Sequence, residues 1–293
     1  MLIDYDMPLW RPPSEANSFI LQATLGCSFN RCSFCSMYRT KQFVVRPLEQ
    51  VQSEIRAMAR AYPGTRRVFL ADGDALATPT EQLLAILQAL RLAFPRLERV
   101  SSYALPVNLL KKSVDELRQL RESGLTLLYY GIETGSADLL KRITKGATPE
   151  VMVTGLTKAK QAGLTLSATV VLGLGGQAYW REHIDATAEL VNQVELDYLS
   201  TLQLMLDPTI EDEFRRKFRE PFQLQDDQAL LEEQARLIER LAPPAPLTFR
   251  SNHASNALAL TGVLPRDRPA LLDTLATALA GQVALRPDWL RGY

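Results

Sequence analysis

A chain of 293 residues, 46% hydrophobic and 23% charged, has globular composition and enough length to bury one large core, as a single α/β domain with a C-terminal extension does. Its 33 basic and 33 acidic side chains balance, which excludes a strong global field favouring nucleic acid or an anionic membrane and makes a small substrate the better expectation. The N-terminal run MLIDYDMPLWRPPSE carries acids and prolines where a signal peptide needs basic and then apolar residues. Apolar stretches fall short of the roughly 20 residues that span a bilayer, so a soluble, cytoplasmic protein is expected.

After an N-terminal extension, 1–16, a short β-type run over 17–24 leads directly into a loop holding all the cysteines. A helix follows over 47–62, with Pro47 in its first turn and Val51, Ile55 and Met58 at helical spacing. The unit then repeats: strand 67–71, helix 80–94, strand 99–105, helix 113–123 closed by Gly124, and strand 126–133. A helical stretch over 137–163, broken near 146–149, precedes strand 165–172. Helix 179–194 precedes strand 197–205. Six strand–helix units imply a parallel sheet with right-handed crossovers. Chemical residues follow several successive strands, which favours a partial (β/α)6 TIM-like barrel over a doubly wound sheet.

The barrel core is therefore expected over 17–206, with a C-terminal helical and strand extension over 207–293 that covers it and contributes to the substrate site. Within the extension, PTIEDEFRRKFREPFQL reads as a solvated amphipathic face, with a partner-docking element as the alternative. An amphipathic helix over 226–241, a possible seventh strand in LTFRSNHASN and a helix over 268–280 complete the chain.

Cys27, Cys32 and Cys35 fall within nine positions. An odd, tightly spaced set reads as metal ligands in a reducing compartment rather than as a disulfide framework. Three thiolates ligate three irons of a cubane cluster and leave the fourth iron open for chemistry, whereas an electron-transfer cluster takes four protein ligands. Zinc completed by a distant histidine, His183 or His253, is the alternative. Both histidines are read more simply as surface or substrate-site residues. Gly26, just before Cys27, frees the backbone to turn.

The segment TLGCSFNRCSFCSMYR resembles the cluster loop of the radical S-adenosylmethionine superfamily, in a CX4CX2C variant of its usual CX3CX2C spacing. The resemblance implies a 4Fe–4S cluster on Cys27, Cys32 and Cys35, with Phe34 packing against the adenine of S-adenosylmethionine. After the second strand of the barrel, Asp72, Gly73 and Asp74 stand where the superfamily carries a GGE-like motif for the methionine amino group. An acceptor-rich turn suits an ammonium. YYGIETGSADLLKRITKG is similar to the GIES-type segment, which gives Glu133 a role at the ribose hydroxyls or near the methionyl group; an ordinary strand-end acid is the alternative. TVVLGLGG is similar to the glycine-rich strand end at which adenine approaches backbone amides, through Gly173, Gly175 and Gly176.

Members of this superfamily cleave S-adenosylmethionine reductively to a 5'-deoxyadenosyl radical that abstracts hydrogen from substrate. The resemblance therefore implies a radical enzyme with a small-molecule substrate and an external electron donor such as flavodoxin or ferredoxin; from the charge balance and the short apolar stretches, no membrane partner is expected and nucleic acid is disfavoured. With three cysteines there is no second cysteine-ligated cluster and no catalytic thiyl. The chain also resembles small bacterial iron–sulfur oxidoreductases likened to oxygen-independent coproporphyrinogen oxidases. A porphyrinogen would need cations for its carboxylates, for which Arg39, Lys41 and Arg250 are available. The candidate catalytic residues facing substrate are Arg250, Asn252 and His253, the alternative for this stretch being a loop in which Asn and Ser bond the local backbone. The rival function is an iron–sulfur or zinc module that transfers electrons or organises partners without turnover.

Overall fold

The computed structural model describes residues 3–292, so residues 1, 2 and 293 of the two expected extensions lie outside the described residues. The chain divides into two compact units. The first holds residues up to Asn30, Cys35–Tyr130 and Thr157–Leu166; the second holds Arg31–Phe34, Gly131–Leu156 and the chain from Ser167 onward.

In the first unit the elements run β1 (Phe19–Gln22), β2 (Thr24–Leu25), β3 (Val44–Val45), α1 (Leu48–Ala61), β4 (Arg67–Ala71), α2 (Thr80–Ala93), β5 (Arg99–Ala104), α3 (Pro106–Lys111), α4 (Val114–Glu122) and β6 (Leu125–Glu133), the last crossing into the second unit. β1, β4, β5 and β6 pair in that order, all parallel. Right-handed strand–helix–strand connections produce this arrangement. Alternation along the strands gathers Phe69, Ala71, Leu127 and Tyr129 into one cluster, with Leu9, Ile20 and Tyr103 packed against it. On α1, Val51, Ile55 and Met58 are the buried stripe, as their spacing requires.

The expected N-terminal extension is stitched to this unit. Buried Glu15 accepts from Tyr129 Oη at 2.6 Å and Arg99 Nη2 at 2.7 Å. Tyr5 Oη donates to the Ile20 carbonyl at 2.8 Å, and Trp10 Nε1 to the Met37 carbonyl at 2.9 Å.

The second unit contains α5 (Ala137–Arg142), α6 (Pro149–Gln161, its end lying in the first unit), β7 (Thr165–Leu172), α7 (Gly176–Val191), β8 (Tyr198–Gln203), α8 (Pro208–Arg215), α9 (Asp227–Arg240), β9 (Leu247–Arg250), β10 (Thr261–Leu264) and α10 (Arg268–Leu279). β7, β8 and β9 pair in parallel, so the possible seventh strand forms and continues the parallel order. β10 closes that edge antiparallel to β9.

All six expected strands are present. Unexpected are β10, the two-residue β2–β3 pair and α3, each too short to leave a periodic trace. α3 is nonetheless encoded locally: Pro106 opens it and Asn108 Oδ1 accepts from the Leu105 amide at 2.7 Å. The 207–224 segment needs correcting. It is amphipathic, but its apolar side is buried: Phe214, Phe218 and Phe222 form an aromatic cluster with ring centroids 4.6–5.1 Å apart. The charged side, with Asp212, Arg216, Lys217 and Arg219, is exposed.

Candidate functional site: the cysteine loop and the strand-end turns

In the first unit β1 delivers the chain into the cysteine loop, whose thiols at Cys27, Cys32 and Cys35 are half-buried. Cys27 and Cys35 belong to this unit and Cys32 to the other. Asn30 lies in the four-residue spacer between the first two cysteines, in the left-handed region at φ 42°, where Asn is among the tolerated residues. Its Nδ2 donates to the Tyr38 carbonyl at 2.7 Å, tying the outgoing arm of the loop to the returning one.

The turn after β4 is densely polar. Asp72 is wholly buried and already satisfied by the chain itself. Its Oδ1 accepts from Gln22 Nε2 at 2.9 Å, and its Oδ2 from the Gly26 amide at 3.0 Å and Lys41 Nζ at 2.9 Å. The expectation that Asp72 receives a ligand ammonium is therefore corrected, because its lone pairs hold the cysteine loop. Lys41 is corrected with it. Its side chain is 5% exposed and bound to Asp72 and Asp6, so it is not available to a substrate carboxylate. Arg39, its neighbour, donates to the Cys35 carbonyl at 3.2 Å.

Gly73 makes room for Tyr38, whose ring would stand 2.5 Å from a Cβ at that position. Asp74 differs from Asp72. It is fully buried, its Oδ2 accepts from Ser28 Oγ, and its Oδ1 has no hydrogen-bond partner among the described residues. Burial pushes its carboxyl pKa up, against the opposing hydrogen bond of Ser28 and the charge of Lys112. Tyr38 Oη and Thr78 Oγ1 are likewise buried without partners. Unsatisfied buried polar atoms call for an occupant, and a carboxylate oxygen with two hydroxyls suits the polar end of an amino acid.

In the second unit Glu133 ends β6 with φ 63° and is buried. Its Oε1 accepts from Lys145 Nζ at 2.7 Å. The side chain folds back over Gly131, where a Cβ would lie 2.0 Å from that oxygen. Gly-x-Glu is thus a local necessity of this pair, and Lys145, not singled out in the sequence, is the residue that orients the acid.

Gly173, Gly175 and Gly176 follow β7 as expected, but the adenine reading is corrected by what touches them. A Cβ on Gly176 would meet the Gln223 carbonyl at 2.7 Å and the Phe222 ring at 2.8 Å. One on Gly175 would meet Tyr179 backbone, and one on Gly173 would meet Leu230. The chain itself fills the space that the missing side chains leave.

Below this turn lies a buried acid–base pair. His183, fully buried, is neither surface nor zinc ligand: Nδ1 meets Thr134 Oγ1 at 2.8 Å and Nε2 meets the Val171 carbonyl at 3.0 Å. The Val171 carbonyl can only accept, so Nε2 carries the proton and Nδ1 accepts from Thr134 Oγ1. Glu233, on α9, lies 3.3 Å from that Nε2 and accepts from the Gly173 amide at 3.0 Å. Desolvation lowers the histidine pKa to about 4 and raises that of Glu233 to about 8, so both are neutral near pH 7. Glu233 was not foreseen. Its signal was an acid on the apolar stripe of α9, between Leu230 and Leu237.

Of the substrate-facing candidates, Arg250 is half-buried with its guanidinium 4.8 Å from the Tyr198 ring centre, and Asn252 is exposed. His253 Nδ1 pairs with Ser255 Oγ at 2.9 Å, and burial lowers its pKa. Asn256 Nδ2 donates to the Thr201 carbonyl and the Gln203 amide to Ser255 Oγ, the backbone-bonding pattern of a capped loop.

Among the described residues no three His, Cys, Asp or Glu side chains converge as one ion would require; ligands to separate irons of a cubane have no such requirement. In the first unit, the half-buried Cys27 and Cys35 and a turn with an orphaned acceptor suit a cluster and its amino-acid ligand. Residues 21–191 match the family described as the Radical SAM superfamily. The chain belongs to the radical SAM superfamily. Members of this superfamily are enzymes that bind a 4Fe–4S cluster and S-adenosylmethionine.

Among curated relatives, this radical SAM chain is 27% identical over 181 residues to an uncharacterized methyltransferase of Pyrococcus horikoshii, covering 61% of this chain and 38% of that one. It is 23% identical over 180 residues to the heme chaperone HemW of Bacillus subtilis, covering 60% and 47%. Among solved structures it resembles coproporphyrinogen III oxidase (HemN) from Escherichia coli, with TM-score 0.59 and 20% identity over 76% of this chain and 51% of that one. The likeness shows the α/β fold of the partial-barrel class and bears out the resemblance to coproporphyrinogen oxidase-like proteins. The chain spans only 38–51% of the length of these three proteins. No helix among the described residues is long and apolar enough to cross a membrane.

Proposed function

We propose that this chain holds a 4Fe–4S cluster on Cys27, Cys32 and Cys35 and cleaves S-adenosylmethionine reductively, using the resulting radical on a small molecule. The observation that carries this reading is the buried, unpartnered Asp74 Oδ1 on the turn that also anchors the cysteine loop. When bound, the cluster supplies the electron that breaks the sulfonium bond and an open iron that chelates the methionine amino and carboxylate groups. The protein's own part is binding and orientation. Asp74 Oδ1 would accept from an N–H of the methionine amino group, Gly73 lets the backbone and Tyr38 close on it, and Lys145 fixes the Glu133 carboxylate toward the ribose hydroxyls. Phe34 packs on the adenine.

Anaerobic reconstitution tests this reading. It expects an iron–sulfur spectrum that changes on adding S-adenosylmethionine and 5'-deoxyadenosine formed with dithionite, both lost in Cys27→Ser. Stoichiometric zinc without iron affinity would instead establish the module without turnover.

The substrate is an unidentified small molecule, the electron donor a flavodoxin or ferredoxin, and the compartment the reducing cytoplasm. HemW and HemN suggest a tetrapyrrole, but Lys41, one of the three cations expected for its carboxylates, is committed to Asp72 and Asp6. Arg250, Asn252 and His253 contact substrate in this reading. Unchanged turnover in Arg250→Ala and His253→Ala would remove those two residues from the site.

A further inference from the structure

We propose that Asp72 is a positioning residue for the cysteine loop, fixing through Gly26 and Lys41 the two arms that carry Cys27 and Cys35. The proposal rests on the reading that these cysteines hold the cluster. Asp72 stands at the end of β4 with no exposure, and two of its three donors come from opposite arms of the loop. The Gly26 amide lies one residue before Cys27, and Lys41 six residues beyond Cys35. The third donor, Gln22, ends β1.

The circuit closes through the N-terminal segment. Lys41 Nζ reaches Asp6 Oδ1 at 2.9 Å and the Asp6 carbonyl at 2.6 Å. Asp6 and Gln22 exchange two hydrogen bonds, at 3.0 and 2.9 Å. Trp10 holds the Met37 carbonyl between Cys35 and Lys41. Strand pairing does not need this carboxylate, because the Ala71 carbonyl accepts from the Ala23 amide and the Asp72 amide donates to the Thr24 carbonyl and hydroxyl. What the carboxylate adds is a fixed separation of the two loop arms. Ligands to separate irons must be presented at set spacing, and residues that orient ligands through hydrogen bonds govern how well metal is retained.

Asp72→Asn keeps the shape but turns a donor toward the Gly26 amide or Lys41, and Lys41→Met removes the cation. The double variant leaves no buried charge alone, so its thermal midpoint is expected near that of the parent while the circuit stays broken. The full chain carrying Trp180→Phe and Trp289→Phe leaves Trp10 as the sole tryptophan. In this background the apoprotein of the double variant should show increased iodide quenching of Trp10. Its reconstituted form should lose iron to a ferrous chelator about 10- to 100-fold faster than the parent. A double variant that melts, shields Trp10 and retains iron as the parent does overturns the proposal. Should it not fold, Lys41→Arg, which keeps the charge, tests the same circuit: faster iron loss supports it and an unchanged rate overturns it. Cys27→Ser with a full iron complement overturns the cluster reading instead, and the Trp10 result in apoprotein then decides the Asp72 circuit separately.

Discussion

Two glycine-containing turns at strand ends, one in each unit, differ in construction. The turn after β4, Asp72–Gly73–Asp74, leaves Asp74 Oδ1 and Thr78 Oγ1 buried without partners. The turn after β7, Gly173 to Gly176, is filled by Leu230, Phe222 and the Gln223 carbonyl, and the Gly173 amide is taken by Glu233. Glycine shows only that something comes close. Whether that is a ligand or the chain's own packing is read from the polar atoms left over among the described residues: Asp74 Oδ1 and Thr78 Oγ1 at the first turn, and at the second Gln225 Oε1, 3.9 Å from where a Cβ on Gly173 would stand, so of the two turns the first presents the orphaned carboxylate oxygen.

The largest effect is expected from Gly176→Ala, which places a Cβ against two immovable neighbours at a φ of 55°. Chemical denaturation should show a loss of about 2–4 kcal/mol, with S-adenosylmethionine affinity of the folded fraction unchanged; a weakened affinity without destabilisation would reverse the comparison. Asp74→Asn should do the opposite. Titration calorimetry on reconstituted protein should show binding weakened by about 1.5–3 kcal/mol, while the apoprotein melts no lower, because a desolvated carboxyl has been neutralised.

Next in size is the pH response of the pair beneath the second turn. Glu233, raised to about 8 from 4.5, contributes stability that is present below pH 4.5 and lost as pH rises toward 8. His183, lowered to about 4 from 6.5, contributes stability present above pH 6.5 and lost as pH falls toward 4. Between pH 6.5 and 8 the parent should therefore lose stability with a slope of up to about 1.4 kcal/mol per pH unit, and Glu233→Gln should flatten that slope in denaturation curves. Trp10→Phe, the smallest change, removes one hydrogen bond to Met37 and should lower stability by about 1 kcal/mol.

The alternation of strands and helices was legible because each βα unit carries its own period and stop signals. The positions of Cys27, Cys32 and Cys35 were legible because their spacing is local. Lys41 and Asp72 were misread because a lysine at 5% exposure looks in sequence like any solvated lysine; its partners are 31 and 35 residues away. Tyr38 and Lys145 were missed for the same reason, since burial depends on chain brought in from elsewhere. The glycines after β7 were found and misassigned, as sequence records small size but not which neighbour exploits it. Phe214, Phe218 and Phe222 recur every four residues within a charged segment, a helical stripe that the surrounding charges obscured.

The Asp72–Lys41 contact also constrains how such a chain can change over generations. Replacing Lys41 alone strands the Asp72 charge away from water, a penalty of several kcal/mol, whereas replacing Asp72 leaves Lys41 its ion pair with Asp6. Related chains are therefore expected to lose Asp72 before Lys41, or both together, and not Lys41 first.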